Sequence, residues 1–137
     1  MISSCGGKNM KELSEMEKIV KIALIKLGIK CDYSGYDYLV DAVLFVIEKP
    51  QYAYNVKALI EEVAKKNNCE NPQRVESNIQ NAINATYNSK GFNSINDLYG
   101  MDLIRPDHKP TMGELIKLVA EYYNLKIYEN EEKNNKK

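Results

Sequence analysis

The most concentrated hydrogen-bonding chemistry in this chain lies just after Pro72. Gln73, Arg74, Ser77, Gln80, Asn81, Asn84 and Asn88 recur there at helical spacing, on the side away from Val75, Ile79 and Ile83. A guanidinium can bond a guanine edge with two donors, and a Gln or Asn amide can do the same for adenine, so these side chains have the chemistry that base readout requires. A polar helix face is also what plain solvation produces, and the pattern alone does not separate the two.

Other places where chemistry could reside are poorer. Cys5, Gly6, Gly7 and Lys8 lack the spacing, the hydroxyl after lysine and the preceding strand of a phosphate loop, and read as a flexible leader over residues 1–9. The adjacent carboxylates Glu61 and Glu62 point in different directions on a helix, and Glu131 and Glu132 fall in a charged tail, so neither pair can share a substrate. His108 has no base or nucleophile near it in sequence, and its loop between Pro106 and Pro110 implies exposure. Cys5, Cys31 and Cys69 are odd in number and far apart, which reads as reduced thiols; a closed zinc site needs four ligands with a tight pair among them. No catalytic residue, metal site or cofactor is therefore expected, and the chain is not expected to be an enzyme.

Elements must position the amide-rich face, and the apolar periodicity supplies them. Leu13, Met16, Val20, Ala23, Leu24 and Leu27 follow an N-cap pattern at Asn9 and stop at Gly28, giving a first amphipathic helix. Ser34 with Asp37 forms a capping-box pattern before Tyr38, Leu39, Ala42, Val43, Val46 and Ile47, a helix apolar on most faces and so central, which stops at Pro50. A third helix carries Val56, Leu59, Ile60, Val63 and Ala64 to the polar break at Asn67. Asn71 and Pro72 then restart the chain as cap and first helical residue, with Val75, Ile79, Ala82, Ile83 and Thr86 as the buried stripe of a fourth helix. A short helix spans Ser94 to Tyr99, with Ile95, Leu98 and Tyr99 turned inward. Thr111 with Glu114 is another capping box, opening a last helix through Leu115, Leu118, Val119 and Tyr122.

The expected fold is all-α, about six helices, with one domain over residues 10–126, a helix-turn-helix at about 55–89 and a disordered charged tail at 127–137. The chain has 137 residues, enough for one core, and its 44% hydrophobic content excludes a disordered protein. No apolar stretch is long enough to span a bilayer and no secretory signal is visible, so no membrane partner is expected and a cytoplasmic location is. Tyr36, Tyr38 and Tyr87 read as core residues with hydroxyls at the rim. Tyr52, Tyr54, Tyr122, Tyr123 and Tyr128 could leave an aromatic surface suited to a protein partner.

From about Ile19 to Leu125 the chain resembles the C-terminal effector domain of the stage zero sporulation protein A family, the response regulators of sporulation in Firmicutes. The resemblance is carried by Leu27, Gly28 and Ile29, then Gly35, Tyr36, Tyr38, Leu39, Ala42 and Val43, then Ile47 and Glu48, and Val63, Ala64, Lys65 and Lys66. It continues through Arg74, Val75 and Glu76 with Ala82 and Ile83, through Ser94, Ile95, Leu98, Tyr99 and Gly100, and through Lys109, Pro110 and Thr111. It implies a helix-turn-helix fold of the winged-helix-like or response-regulator-effector kind, whose fourth helix enters the major groove of double-stranded DNA, with two copies arranged head to tail. It further implies base contacts by Arg74 and Glu76 and a backbone approach near Lys109.

The chain departs from that pattern where charge matters. Ser77 and Gln80 stand where the family has arginine, and Asn81 where it has histidine; from Asn71 to Ser89 only Arg74 and Glu76 are charged, and they cancel. With 19 Lys and Arg against 19 Asp and Glu, the whole chain has no net positive field either. Phosphate neutralisation supplies most non-specific affinity, so DNA binding of moderate to low affinity is expected unless Lys57, Lys65, Lys66, Lys90, Arg105 or Lys109 help. The turn at Glu70 and Asn71 is one residue longer than in the family, which would rotate the entry of the fourth helix. Only a short lead precedes the first helix, so the family's receiver domain, and regulation by aspartyl phosphorylation in cis, are not expected. The expected function is a sequence-specific transcriptional regulator. The alternative is a module that pairs with a second copy or a sporulation regulator and binds little DNA itself.

Overall fold

Caps and apolar stripes set each helix in turn in the computed structural model, which describes residues 14–100, 104–105 and 107–135. The order is α1 (Glu15–Lys26), α2 (Tyr36–Glu48), a short 3-10 turn (Pro50–Tyr54), α3 (Val56–Lys66), α4 (Pro72–Asn88), α5 (Asn93–Tyr99) and α6 (Met112–Asn135). The described residues form no strand, and none of their helices is long and apolar enough to cross a membrane. α2 is the centre: Leu39, Val40, Ala42, Val43 and Val46 are buried, and α1, α3, α4 and α6 all pack against it. Its apolar residues, on most of its faces, leave it nowhere else to go.

The caps differ in how far they follow local pattern. Ser14 caps α1 by accepting from the Glu17 amide at 3.0 Å, and the Asn9 pattern lies outside the described residues. Asn71 caps α4 as expected, its side chain accepting from the Gln73 amide at 3.0 Å with Pro72 in the first turn. At α6 the capping box forms in both directions: the Thr111 amide donates to Glu114 Oε1 at 2.9 Å, and the Glu114 amide to Thr111 Oγ1 at 3.1 Å. The bond from the Thr111 amide, with a smaller contribution from His108, holds the Glu114 carboxyl below the usual carboxylate range.

The capping box expected at Ser34 and Asp37 does not form. Gly35 is the N-cap of α2 and no side chain caps it, because the chain there runs against the backbone of α4. A Cβ on Gly35 would lie 2.6 Å from the Asn78 carbonyl carbon and 2.9 Å from Ile79 Cα. Tertiary packing outweighs a local cap worth about 1 kcal/mol. The second difference is at the C-terminus, where a disordered stretch from 127 was expected and α6 runs on to Asn135. No Gly or Pro follows Gly113, and Lys126 and Glu129 pair at 3.9 Å one turn apart, so nothing local stops the helix.

Helices α1, α3 and α4 end alike, with two bonds returning from a left-handed residue and its successor. In α1 these run from Ile29 N to Leu24 O (3.1 Å) and Gly28 N to Ile25 O (3.0 Å). In α3 they run from Cys69 N to Ala64 O (2.9 Å) and Asn68 N to Lys65 O (3.2 Å), and in α4 from Gly91 N to Thr86 O (2.8 Å) and Lys90 N to Tyr87 O (3.0 Å). The left-handed position is held by Gly28, Asn68 and Lys90 respectively, the motif that satisfies orphan carbonyls at helix ends.

Tyr36 ties α2 to α1, its buried hydroxyl donating to the Lys21 carbonyl at 3.3 Å. Burial, helped by Cys31 and Asp37, pushes its pKa up from 10.0 to about 12. The unfolded chain therefore loses this proton first as pH rises, so the contribution of Tyr36 is full below pH 10 and is lost toward about 12. Wild type should exceed Tyr36→Phe in urea midpoint at pH 7, and the gap should shrink as pH rises from 10 toward about 12; a gap independent of pH would contradict this.

Candidate nucleic-acid interface

The helix-turn-helix is built from α3 and α4, joined by residues 67–71. Val75, Ile79 and Ile83 are fully buried with Ala82 and Thr86 beside them, and each such aliphatic side chain contributes about 1.5–3 kcal/mol of burial. That stripe decides which way α4 faces. The Thr86 hydroxyl, the polar member of the stripe, is satisfied by donating to the Ala82 carbonyl at 2.8 Å.

On the opposite side Gln73, Arg74, Glu76, Ser77 and Asn81 are exposed. Gln80 is half-buried and donates through Nε2 to Asn84 Oδ1 at 3.1 Å, so the two amides one turn apart act as a pair. Arg74 has no ion-pair partner among the described residues, leaving its guanidinium donors to solvent or to a ligand. The face offers donors and acceptors with almost no charge.

The expected cations around it are placed unequally. Lys66 Nζ lies 2.7 Å from Asp41 Oδ1, while Asn67 Nδ2 donates to Asp41 Oδ2 at 3.0 Å, so one carboxylate on α2 holds the end of α3 and the start of the turn. Lys66 is thus engaged in the fold. Lys65 meets Glu62 at 3.5 Å in an exposed pair of little energetic weight. Lys57, Lys90 and Lys109 are exposed, Arg105 pairs with Asp107 at 3.3 Å on the surface, and exposed His108 lies 3.4 Å from Glu114.

One residue important to this region gave no sign in the sequence. Asn96, buried on α5, donates to the Ile104 carbonyl at 2.6 Å and accepts from the Ile104 amide at 3.0 Å, anchoring the loop that carries Arg105 and Lys109. An Asn in a polar run looks like surface, and its partner eight residues on leaves no local pattern. Asn96→Ala strands both Ile104 groups and should cost about 2–4 kcal/mol in urea unfolding, with faster exchange of the Ile104 amide. A loss under 0.5 kcal/mol, as for an ordinary surface site, would contradict the clamp.

Leu98 and Tyr99 side chains, expected to turn inward, lie outside the described residues. Of the tyrosines read as an aromatic surface, Tyr54 and Tyr128 are exposed and Tyr52, Tyr122 and Tyr123 half-buried. A family model described as sporulation initiation factor Spo0A C terminal matches residues 20–123 of the chain, a span from the first half of α1 to the middle of α6.

Proposed function

The chain belongs to the family of the sporulation initiation factor Spo0A C-terminal domain, a family of helical DNA-binding domains, and from that premise we propose that it is a sequence-specific transcriptional regulator that reads DNA with α4 in the major groove. The observation that carries this reading is the solvent exposure of Gln73, Arg74, Ser77 and Asn81 on a helix whose other face is pinned by three fully buried aliphatic residues. Arg74 is the guanine reader and Glu76 accepts from a cytosine amine. Gln73, Ser77, the Gln80–Asn84 pair and Asn81 bond adjacent edges. Lys65, Lys90 and Lys109 supply phosphate contacts, with Lys66 secondary because of Asp41. The domain that does this extends from residue 10 to 126, with α6 continuing beyond it.

Selectivity then rests on bases more than on phosphates. Duplexes selected from a random pool at low salt should share a site, and a labelled selected duplex should resist competition by random DNA. An absence of any enriched site would refute the reading.

A second reading has one specific observation behind it. Leu125 on α6 is 60% exposed and lines a groove between α1 and α6 with Ala23, Leu118 and Tyr122, and Ile22, Ile25 and Tyr128 are exposed elsewhere on these two helices. Such exposed apolar side chains favour a protein partner, a second copy or a sporulation regulator, whose capture should survive Arg74→Ala.

A further inference from the structure

The end of α4 breaks a rule that the other helix ends keep. Among the described residues the left-handed positions are Gly28, Asn68, Gly100 and Lys90, with φ of 61° at Lys90. Glycine is free in that region and asparagine is tolerated there, whereas a long side chain is strained. Strain kept at one position and avoided at its equivalents marks a residue retained for its side chain.

That side chain stands in a particular place. Lys90 and Arg105 line one small cleft with Tyr87, Phe92 and Asn93, a cavity of about 220 Å³ beside the last turn of α4. Lys90 has no ion-pair partner among the described residues, and the Arg105 bond to Asp107 is an exposed one that an incoming oxyanion can displace. The cleft therefore brings together two cations and the amide of Asn93, with no carboxylate among its lining residues. At about 1.5 Å per residue, the last helical residue, Asn88, stands roughly 21 Å from Arg74 along α4, well over the width of the major groove, and Lys90 follows just beyond it. On the DNA reading, with the first turns of α4 among the bases, its far end would stand past the edge of the groove, on the side where a strand backbone runs.

The geometry points to a phosphate-binding cleft in which Lys90 and Arg105 jointly hold one phosphate oxyanion, in the working complex a backbone phosphate of the bound DNA. The assignment rests on the DNA reading above and adds to it the site that offsets the missing charge on α4.

The full chain is compared with Lys90→Gly, Arg105→Gln and the double variant, on a selected duplex and on random duplex, across a salt series and by thermal melting. Lys90→Gly should melt a few degrees higher, since glycine relieves the left-handed strain. Its affinity for both duplexes should nonetheless fall by a similar factor, roughly five- to tenfold. The double variant should lower the salt slope by about one, the signature of one shared phosphate; a loss of about two would overturn joint binding. Raised stability with unchanged affinity would overturn the site and leave Lys90 as a helix cap only. If the wild type selects no duplex, the DNA reading falls by itself, and a titration with inorganic phosphate decides the cleft. Saturable shifts of the Lys90 and Arg105 resonances would keep the site with free phosphate as its ligand, and no shifts would remove it.

Discussion

Arg74→Ala should abolish the preference for the selected duplex, lowering its affinity by roughly 5- to 150-fold while binding to random DNA changes little. One bidentate guanine contact is worth about 1–3 kcal/mol of discrimination, and on a recognition helix with one cation there is no second guanidinium to take over. The side chain is exposed and makes no ion pair among the described residues, so the fold should be unaffected within about 0.5 kcal/mol. Arg74→Lys should recover phosphate-like attraction but not selectivity, because an ammonium lacks the planar fork. Equal losses on selected and random DNA would make Arg74 a phosphate contact instead.

A stability loss as large as that of Asn96→Ala is expected from Gly28→Ala, at roughly 2–4 kcal/mol. Two costs add there. Gly28 has φ of 97°, which an L side chain resists, and an added Cβ would drive into the Gly91 carbonyl and sit 3.1 Å from Gly91 Cα. Both are backbone atoms, so no rotamer change relieves the clash. Gly91 directly follows Lys90, so the same contact sets the end of α4 against the end of α1. Urea unfolding should show the loss, and Gly91→Ala should be milder, since its nearest contact is the Thr86 methyl at 3.0 Å. A Gly28→Ala variant as stable as wild type would mean that the two backbones part easily.

Where each interaction spans few residues, the sequence carried it. The stripe of α4 and the caps at Asn71 and Thr111 follow from spacing alone, and so does the outward direction of Gln73, Arg74, Ser77 and Asn81. Long-range packing was not legible: the approach of Gly35 to Asn78 cancelled a local cap, and the Asp41 clamp took up Lys66, one of the cations that charge alone offers to DNA. The role of Asn96 and the backbone strain at Lys90 were hidden for different reasons. The partner of Asn96 is a backbone group eight residues away, and the unusual feature of Lys90 is a backbone angle, invisible in a residue type. The tail differs in the opposite sense: its polar composition suggests disorder, yet no residue up to Asn135 breaks the helix.

The most direct measurement is a backbone and side-chain amide titration of the labelled chain with a selected duplex. The expected result is early, saturable shifts along the outer face of α4, in Gln73, Gln80 and Asn81 and at the Arg74 amide, with Ile22, Ile25 and Leu125 unmoved. Shifts confined to α1 and α6, or none at saturating duplex, would contradict the placement of α4 in the groove.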